Sequence, residues 1–495
     1  KILENPGGQK LHLQQIMHLS DLGFKSANVP NRFESDTTRR SSSGQIYNKI
    51  IREEDCVVLD VVRTGTKTGE SKALARAGPR AELHFEPDRV RAAVITCGGL
   101  CPGLNDVVHH IVNTLHDNYG VKTIFGIRGG YRGIARGKER VLTDEEALGT
   151  FGKIGRWMGF DVGVARDGPV DHFRPIFLTP EYVKSIHHLG GTVLGSSRGG
   201  FDLEKTLDFL QTNQINQLYV VGGDGTHRGA YKISQACVER GLNIAVACIP
   251  KTIDNDIAVI DNSFGFLSAV EAAQVAIKTA KTEAACNMPN GIGVVKLMGR
   301  SAGYIAAHAT LASGDVDLCL IPEIAMVLEG ECGCLPHLER VVEKQGHAVV
   351  VVAEGAGEDV LGTSAEVDAG GNRKLPPIGD FMVAKIKDHF KKNGKPATIK
   401  YIDPSYIIRS VPANSRDSYE CFVLSQGAVH GAMAGYTGFT TGMVNSHTVM
   451  IPIPMLVKDS PRTMNPKGRT WERVLGNTKQ PNTNHVNGKI PAGSG

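Results

Sequence analysis

From Val90 onward the chain repeats one rhythm, and that rhythm limits the folds open to it. A short β-branched run leads into a glycine-rich turn, and the turn leads into a helical pattern. Arg91 to Thr96 reads as a strand, Cys97 to Asn105 as the turn and Asp106 to Tyr119 as the helix. Leu218 to Val221, Gly222 to Thr226 and Arg228 to Arg240 repeat the same order. Ile244 to Ile249, Ile292 to Lys296 and Ala348 to Ala353 are further apolar runs of strand length with polar or glycine-rich ends. Strands alternating with helices at this spacing predict right-handed βαβ units and mainly parallel sheets covered on both faces. Such sheets bind ligands beyond the carboxyl ends of their strands, and every motif considered below falls at such an end.

The chain has 495 residues, enough for two or three domains with a sizeable core. Its 41% hydrophobic and 21% charged residues are those of a soluble globular protein, and a net charge of +4 does not point to nucleic acid. No stretch approaches the ~20 apolar residues of a membrane span. The ten cysteines follow no framework, and Cys332 and Cys334 have no second pair at zinc spacing, so reduced, mostly buried thiols are expected. Residues 1–89 mix turn-formers with charges and read as an N-terminal arm whose one strand is Cys56 to Val62. Arg39 to Ser43 is basic and serine-rich, but no apolar segment follows, so no secretory signal is read; a remnant of an organelle transit segment stays as an alternative. Residues 476–495 are polar and rich in Gly, Pro and Asn, and are expected to form a flexible C-terminal tail.

Five segments carry chemistry. Pro250 to Asp256 (PKTIDND) closes an apolar run with two carboxylates, Asp254 and Asp256, preceded by Lys251 and Thr252. On one side of a loop, one carboxylate can accept a proton while the other helps hold a metal ion, which suits phosphoryl transfer to an alcohol. The bland alternative is a pair of solvated turn acids. Gly98, Gly99 and Gly103 in GGLCPGLN follow a strand and open a helix, where glycine backbone N–H groups and a helix N-terminus favour a phosphate. Gly222 to Thr226 (GGDGT) adds Gly223, Gly225 and Thr226 around Asp224, a hard oxygen ligand suited to Mg²⁺. It also occurs in NAD and lipid kinases, and an Asp capping the next helix is the alternative. Met298, Gly299 and Arg300 stand where a strand gives way to the Tyr304–Leu311 helix, so Arg300 is placed to meet an anion. Arg198 and Gly199 lie in the low-bulk loop GSSRGG, either a phosphate clamp or a flexible turn. Beyond these five, Glu354 ends an apolar strand, where an acid can accept bonds from sugar hydroxyls, and Tyr406 and Arg409 are placed in a loop.

Taken together, these residues resemble the 6-phosphofructokinase family over about residues 90–475, and most of all its plant-type ATP-dependent branch. The resemblance implies two Rossmann-like three-layer α/β domains with mainly parallel sheets and an active site in the cleft between them. Residues 90–265 plus about 410–450 would bind ATP, and residues 266–409 plus about 451–475 the sugar phosphate. It implies that Asp254 is the general base toward the sugar 1-hydroxyl, that Asp224 and Asp256 hold Mg²⁺, and that Thr252 contacts phosphate. Arg198 and Arg300 resemble the cations that meet the transferring phosphoryl group. Glu354, Met298, Gly299 and Arg300 resemble sugar-phosphate contacts, and Tyr406 and Arg409 match the segment that binds the 6-phosphate. Lys400 stands where bacterial members carry an Arg. Gly291 stands where they carry another, which leaves a second-subunit arginine contact open.

Two positions bear on the phosphoryl donor and disagree. Pyrophosphate-dependent members usually carry Asp at the position of Gly225, where a carboxylate occupies and repels the α-phosphate region of ATP. Gly225 therefore favours ATP. Lys251 is typical of pyrophosphate enzymes, but plant-type ATP enzymes carry it too, so Gly225 weighs more. The expected activity is Mg²⁺-assisted transfer of the ATP γ-phosphoryl to fructose 6-phosphate. The alternatives are a pyrophosphate-dependent enzyme, a NAD or lipid kinase, and a catalytically silent regulatory member. The resemblance implies a glycolytic, allosteric homodimer or homotetramer, placed in the cytoplasm with the plastid as alternative, and neither nucleic acid nor membrane as partner.

Overall fold

The computed structural model describes residues 2–4, 10–31, 50–59, 71–136, 173, 175–362, 366 and 374–483. The basic stretch Arg39 to Ser43 and the terminal residues 484–495 lie outside them. The chain divides into two compact units. The first takes its residues from Lys1–Thr252, Ile257–Phe264 and Pro412–Ser460, the second from Ile253–Asp256, Gly265–Val411 and Pro461–Gly495.

The first unit is built on one large sheet. At its centre the strands Phe439–Val444, Ala245–Pro250, Gln217–Gly222, Arg91–Thr96 and Thr123–Ile127 lie side by side, all parallel. Gln217–Gly222 and Ala245–Pro250 are buried at every position, as strands covered on both faces must be. Their side chains pack with those of the helices Leu203–Thr212 and Asp224–Glu239 into a core that includes Leu207, Leu210, Val220, Ile233 and Val246. On the opposite side the helices Leu104–Asn113 and Ser415–Met433 pack together. Toward its margins the sheet turns antiparallel: His447–Pro452 pairs with Phe439–Val444, and Ile176–Phe177 with Thr123–Ile127.

The expected N-terminal arm is not one. Ser71–Arg76 pairs antiparallel with His447–Pro452, and Lys10–Leu13 pairs parallel with Ser71–Arg76, so both extend the sheet of the first unit. Leu74 is fully buried there against Val449 and Ile451. Short strands with mixed polarity at a sheet margin lack the alternation that reveals a strand.

The second unit holds a smaller sheet, in the order Leu318–Leu320, His347–Ala353, Gly291–Leu297 and Thr398–Ile402, with every pairing parallel. The helices Cys334–Gln345 and Ile378–Lys392 cover one face through Leu335, Leu338, Met382 and Ile386. Phe266–Cys286 runs against the central strand Gly291–Leu297. Their approach depends on missing side chains: a Cβ at Gly291 would stand 1.9 Å from the Ala284 carbonyl oxygen, and one at Gly293 2.6 Å from that of Ala280. The same contact explains why no arginine occupies position 291.

Other boundaries shift for identifiable reasons. The return of the chain to the first unit spans Pro412–Ser460 rather than about 410–450. Tyr406 and Arg409 lie on a short helix, Ser405–Ser410, not in a loop. The tail is anchored at least to residue 483: Gly476 belongs to the helix Arg469–Thr478, and Gln480 exchanges hydrogen bonds with the backbone of Cys319 at 2.7 and 2.9 Å. Thr483 donates to the Ala325 carbonyl at 2.9 Å. All ten cysteines are free thiols, and most are buried. No helix among the described residues is long and apolar enough to cross a membrane.

The glycine-mediated helix–strand contact gives a stability test. Gly293→Val should lower the unfolding free energy by ~1–3 kcal/mol through overpacking, read as a drop in denaturant midpoint with an unchanged slope.

Candidate active site

In the first unit, three of the motif-bearing loops leave the same edge of the sheet because their strands are parallel neighbours in register. Gln217–Gly222 pairs with Arg91–Thr96 on one side and with Ala245–Pro250 on the other, with Gly222 opposite Pro250. The ladder continues into the loops. Cys97 N–H donates to the Val221 carbonyl at 2.8 Å, and Lys251 N–H to that of Gly222 at 2.9 Å.

Lys251 is the centre of this arrangement. It is buried, and its ammonium donates to the Gly99 carbonyl at 2.8 Å. Gly98 sits at φ +87°, a left-handed conformation that glycine adopts without strain, and a Cβ there would lie 3.1 Å from Lys251 Nζ. Gly98 N–H donates to the Ser197 carbonyl at 3.1 Å, and Ser196 Oγ donates back to the Gly98 carbonyl at 2.7 Å. These bonds hold the loop of exposed Arg198 and Gly199 against the glycine turn. An Arg198 guanidinium nitrogen comes within 3.5 Å of the ideal Cβ position of Gly99. Two cations therefore converge on bare glycine backbone, a surface suited to a polyphosphate.

The GGDGT segment is more helical than its sequence indicates. The helix Asp224–Glu239 starts at Asp224, so Asp224, Gly225 and Thr226 form its first turn. Their N–H groups belong to the orphan set of a helix N-terminus, which favours anions. Gly225 is exposed, and a Cβ added to it would meet nothing within 4 Å. Asp224 is half-exposed and stands 3.8 Å from Arg228, a screened pair of little energetic weight.

His227, which sequence reasoning missed, pins this turn from below. Its ring is fully buried, bonded through Nδ1 to the Gly223 carbonyl at 2.8 Å and through Nε2 to Thr440 Oγ1 at 3.0 Å. Burial lowers its pKa to about 4, against a partial lift from the Gly223 bond and the Asp224 carboxylate. No local signal marks it, since Thr440 lies far along the chain.

In the second unit, the turn that carries Asp254 and Asp256 is held through its backbone carbonyls by a segment distant in sequence. Arg462 N–H donates to the Asp256 carbonyl at 2.6 Å, and Arg462 Nε to the Asn255 carbonyl at 3.1 Å. Asn255 takes φ +54°, so the turn needs this support. Asp254 and Asp256 are half-buried, and Asp254 Oδ1 is shielded from solvent. The Arg462 guanidinium lies over the Tyr304 ring at 5.4 Å, and Tyr304 Oη donates to the Thr463 carbonyl at 3.0 Å. Glu323 accepts from Gly303 N–H at 3.0 Å and from Met464 N–H at 2.8 Å, which joins the start of the Tyr304–Ser313 helix to the same segment. Burial raises the Glu323 pKa, and these backbone bonds oppose the rise.

The MGR and AEG segments meet through their backbones. Glu354 N–H donates to the Leu297 carbonyl at 2.9 Å, and Gly355 N–H to that of Gly299 at 3.1 Å. A Cβ at Gly355 would stand 1.8 Å from the Arg300 carbonyl oxygen, so only glycine admits this approach. Arg300 and Glu354 thereby line one cavity of about 350 Å³, together with Lys296, Tyr401, Asp403 and Asp380. The last four were not singled out from sequence. Met298 is half-buried beside them on the chain, and Gly299 is buried at φ +131°.

Lys400 does not line this cavity. It lies 3.7 Å from Glu283 of the Phe266–Cys286 helix, while its neighbour Tyr401 faces the cavity, as strand alternation requires. Tyr406 is strongly exposed, and the Arg409 guanidinium stacks over its ring at 4.7 Å. Among the described residues Arg409 Nε is buried without a hydrogen-bond acceptor, a donor that an anion would satisfy.

Among the described residues there is no cluster of three or more His, Cys, Asp or Glu able to hold a metal ion. Mg²⁺ takes one or two carboxylates and completes its shell with phosphate oxygens and water. Asp224, half-exposed beside open space at Gly225, is chemically suited to this.

Residues 91–432 match the family model described as Phosphofructokinase. The chain is 44% identical over 486 residues to ATP-dependent 6-phosphofructokinase 7 of Arabidopsis thaliana, covering 97% of this chain and 90% of that one. It is 45% identical over 475 residues to the chloroplastic ATP-dependent 6-phosphofructokinase 4 of the same plant, covering 95% and 81%. Among solved structures, the pyrophosphate-dependent phosphofructokinase of Marinobacter aquaeolei is similar with a TM-score of 0.58 at 19% identity, covering 78% of this chain and 91% of that one. At that identity the likeness concerns the fold.

The His227 pin has a pH signature. Its pKa is lower in the fold than in the unfolded chain, so its stabilising contribution is complete above about pH 6.5 and is lost as pH falls toward 4. His227→Phe should therefore lower the melting temperature at pH 7, by the loss of two buried hydrogen bonds worth ~2 kcal/mol together. The gap to wild type should narrow at pH 5, as thermal melts at the two pH values will read.

Proposed function

Because the chain belongs to the phosphofructokinase family, we propose that it is an ATP-dependent 6-phosphofructokinase. It transfers the γ-phosphoryl of ATP to the 1-hydroxyl of fructose 6-phosphate, giving the 1,6-bisphosphate and ADP. The observation that carries this reading is the glycine surface of the first unit. Gly98 and Gly99 lie beneath the Lys251 and Arg198 cations, and open space surrounds the Cβ position of Gly225.

In this reading the phosphate chain lies on Gly98, Gly99, Gly223 and the first turn of the Asp224 helix, which also engages Thr226. Lys251, Arg198, Gly199 and Thr252 offset and place its charge. Arg300 meets the transferring group, whose negative charge is spread over equatorial oxygens in a loose transition state. Asp224 and Asp256 would hold Mg²⁺, which would supply charge neutralisation when bound. Asp254 takes the proton of the sugar 1-hydroxyl. Glu354, Met298 and Gly299 hold the sugar, and Tyr406 and Arg409 its 6-phosphate, with the unmet Arg409 Nε as one donor. Lys400 serves the phosphate only by leaving Glu283, since its present ion pair points it elsewhere.

Pyrophosphate is the second donor to consider, favoured by Lys251 alone. Gly225 decides against it: a carboxylate at that position would protrude into unfilled space beside the helix N-terminus, where the α-phosphate of ATP needs room. Membership also suggests a symmetric homo-oligomer with allosteric control. We place it in the cytoplasm, with the plastid as the alternative that the name of one relative carries.

Three measurements test the reading. With fructose 6-phosphate and Mg²⁺, ATP should support turnover and pyrophosphate should not; turnover with pyrophosphate alone sinks the donor assignment. Gly225→Asp should fold normally, since its side chain meets open space, and should raise the KM for ATP at least tenfold by repulsion. Asp254→Ser should lower kcat by ~10²–10⁴-fold and leave the KM for fructose 6-phosphate within a few-fold. A loss below tenfold means that Asp254 is not the base.

A further inference from the structure

Gly291–Leu297 is an apolar central strand with one ion in it. Lys296 is half-buried, the other six positions are buried, and a charge at such a site needs a partner. Its partner is Asp403, at 2.7 Å from Lys296 Nζ. The pairing follows from register: Val295 is opposite Ile402 in the parallel ladder, so Lys296 and Asp403 come side by side one step beyond it. Asp403 has a second occupation. Its Oδ1 accepts from Ser405 Oγ at 2.5 Å and from Ser405 N–H at 3.1 Å. Ser405 is the first residue of the short helix that carries Tyr406 and Arg409. Burial works to raise the Asp403 pKa, but the bonds from Lys296 and Ser405 outweigh it and hold the carboxylate ionised.

A six-residue helix has little stability of its own, because nucleation is costly and few hydrogen bonds follow it. Its placement therefore depends on what holds its ends. Here the start is held by a carboxylate, and the carboxylate by an ammonium rooted in a buried strand. Lys296 and Asp403 also line the cavity of Arg300 and Glu354. One ion pair thus spans the two places where the sugar phosphate is expected, the sugar contacts and the 6-phosphate segment.

We propose that the Lys296–Asp403 pair is a positioning device that sets the affinity for the sugar phosphate, by fixing the Ser405–Ser410 helix in register with the Arg300 and Glu354 cavity. The inference deepens the function proposed above and rests on it. Neither residue takes part in proton or phosphoryl transfer, so loss of the pair acts on substrate affinity and not on the chemical step.

The test uses Lys296→Met, Asp403→Asn and the double variant in the full-length protein. Each single variant should raise the KM for fructose 6-phosphate about tenfold, with kcat within about threefold and the KM for ATP unchanged. The double variant should be no worse than the poorer single one, because the two act as a unit. Amide hydrogen exchange over residues 405–409, measured without substrate, should quicken in all three. Asp403→Asn keeps the side-chain shape and serves if Lys296→Met fails to fold. The proposal is overturned by a KM within twofold of wild type, by a kcat loss above tenfold, by multiplying single-variant effects, or by unaltered exchange at 405–409. Failure of the underlying function would look different: wild type itself would not turn over fructose 6-phosphate, while the exchange measurement would still report on the pair.

Discussion

A single buried ammonium organises the strand-end loops of the first unit. Lys251 follows a strand that is buried throughout, and its side chain bonds the Gly99 carbonyl of a different strand-end loop. A desolvated cation is stable only when partnered, so the fold must keep the glycine turn where Lys251 can reach it. The bond it makes there is to a neutral carbonyl, which satisfies one of its donors without cancelling its charge. That charge faces the bare backbone of Gly98 and Gly99, with Arg198 beside it. The interaction that completes the loop also brings a cation to bare glycine backbone, the surface proposed above for the phosphate chain.

The second unit uses the same device with another outcome. Lys296 too is an ammonium at the end of a buried strand, but its partner is Asp403, whose charge cancels its own. The pair holds structure and adds little net field. The groups of this unit proposed to meet anions are Arg300 at the cavity and Arg409 with its buried Nε. The different roles proposed for the two strand-end lysines follow from what each meets, a carbonyl for Lys251 and a carboxylate for Lys296.

Several supports come from far along the chain. His227 fastens the GGDGT turn to Thr440, and Arg462 carries the backbone of Asn255 and Asp256. Both act on main-chain carbonyls. Polar groups of turns that lie outside any ladder must be satisfied by something, and here side chains do it. None of these supports forms a motif, since a carbonyl is the same acceptor whatever residue carries it.

The alternation of β-branched runs, glycine turns and helical patterns determined the parallel α/β architecture, because a parallel strand returns only through a crossover. The same rhythm located the strands Arg91–Thr96, Gln217–Gly222 and His347–Ala353 to within a residue or so at each end. Residue types at strand ends also singled out the glycine, acid and arginine positions proposed for the site, since few residue types tolerate a close backbone or suit a phosphate. Tertiary structure decided the rest. The N-terminal strands joined the sheet because they pair with His447–Pro452 and Ser71–Arg76, partners that no local pattern reveals. Lys400 turned to Glu283 instead of the cavity because alternation along its strand gives that face to Tyr401. Sequence carries the chemistry of a side chain, but which face it occupies and what it meets depend on register, and register is fixed only when distant strands pair.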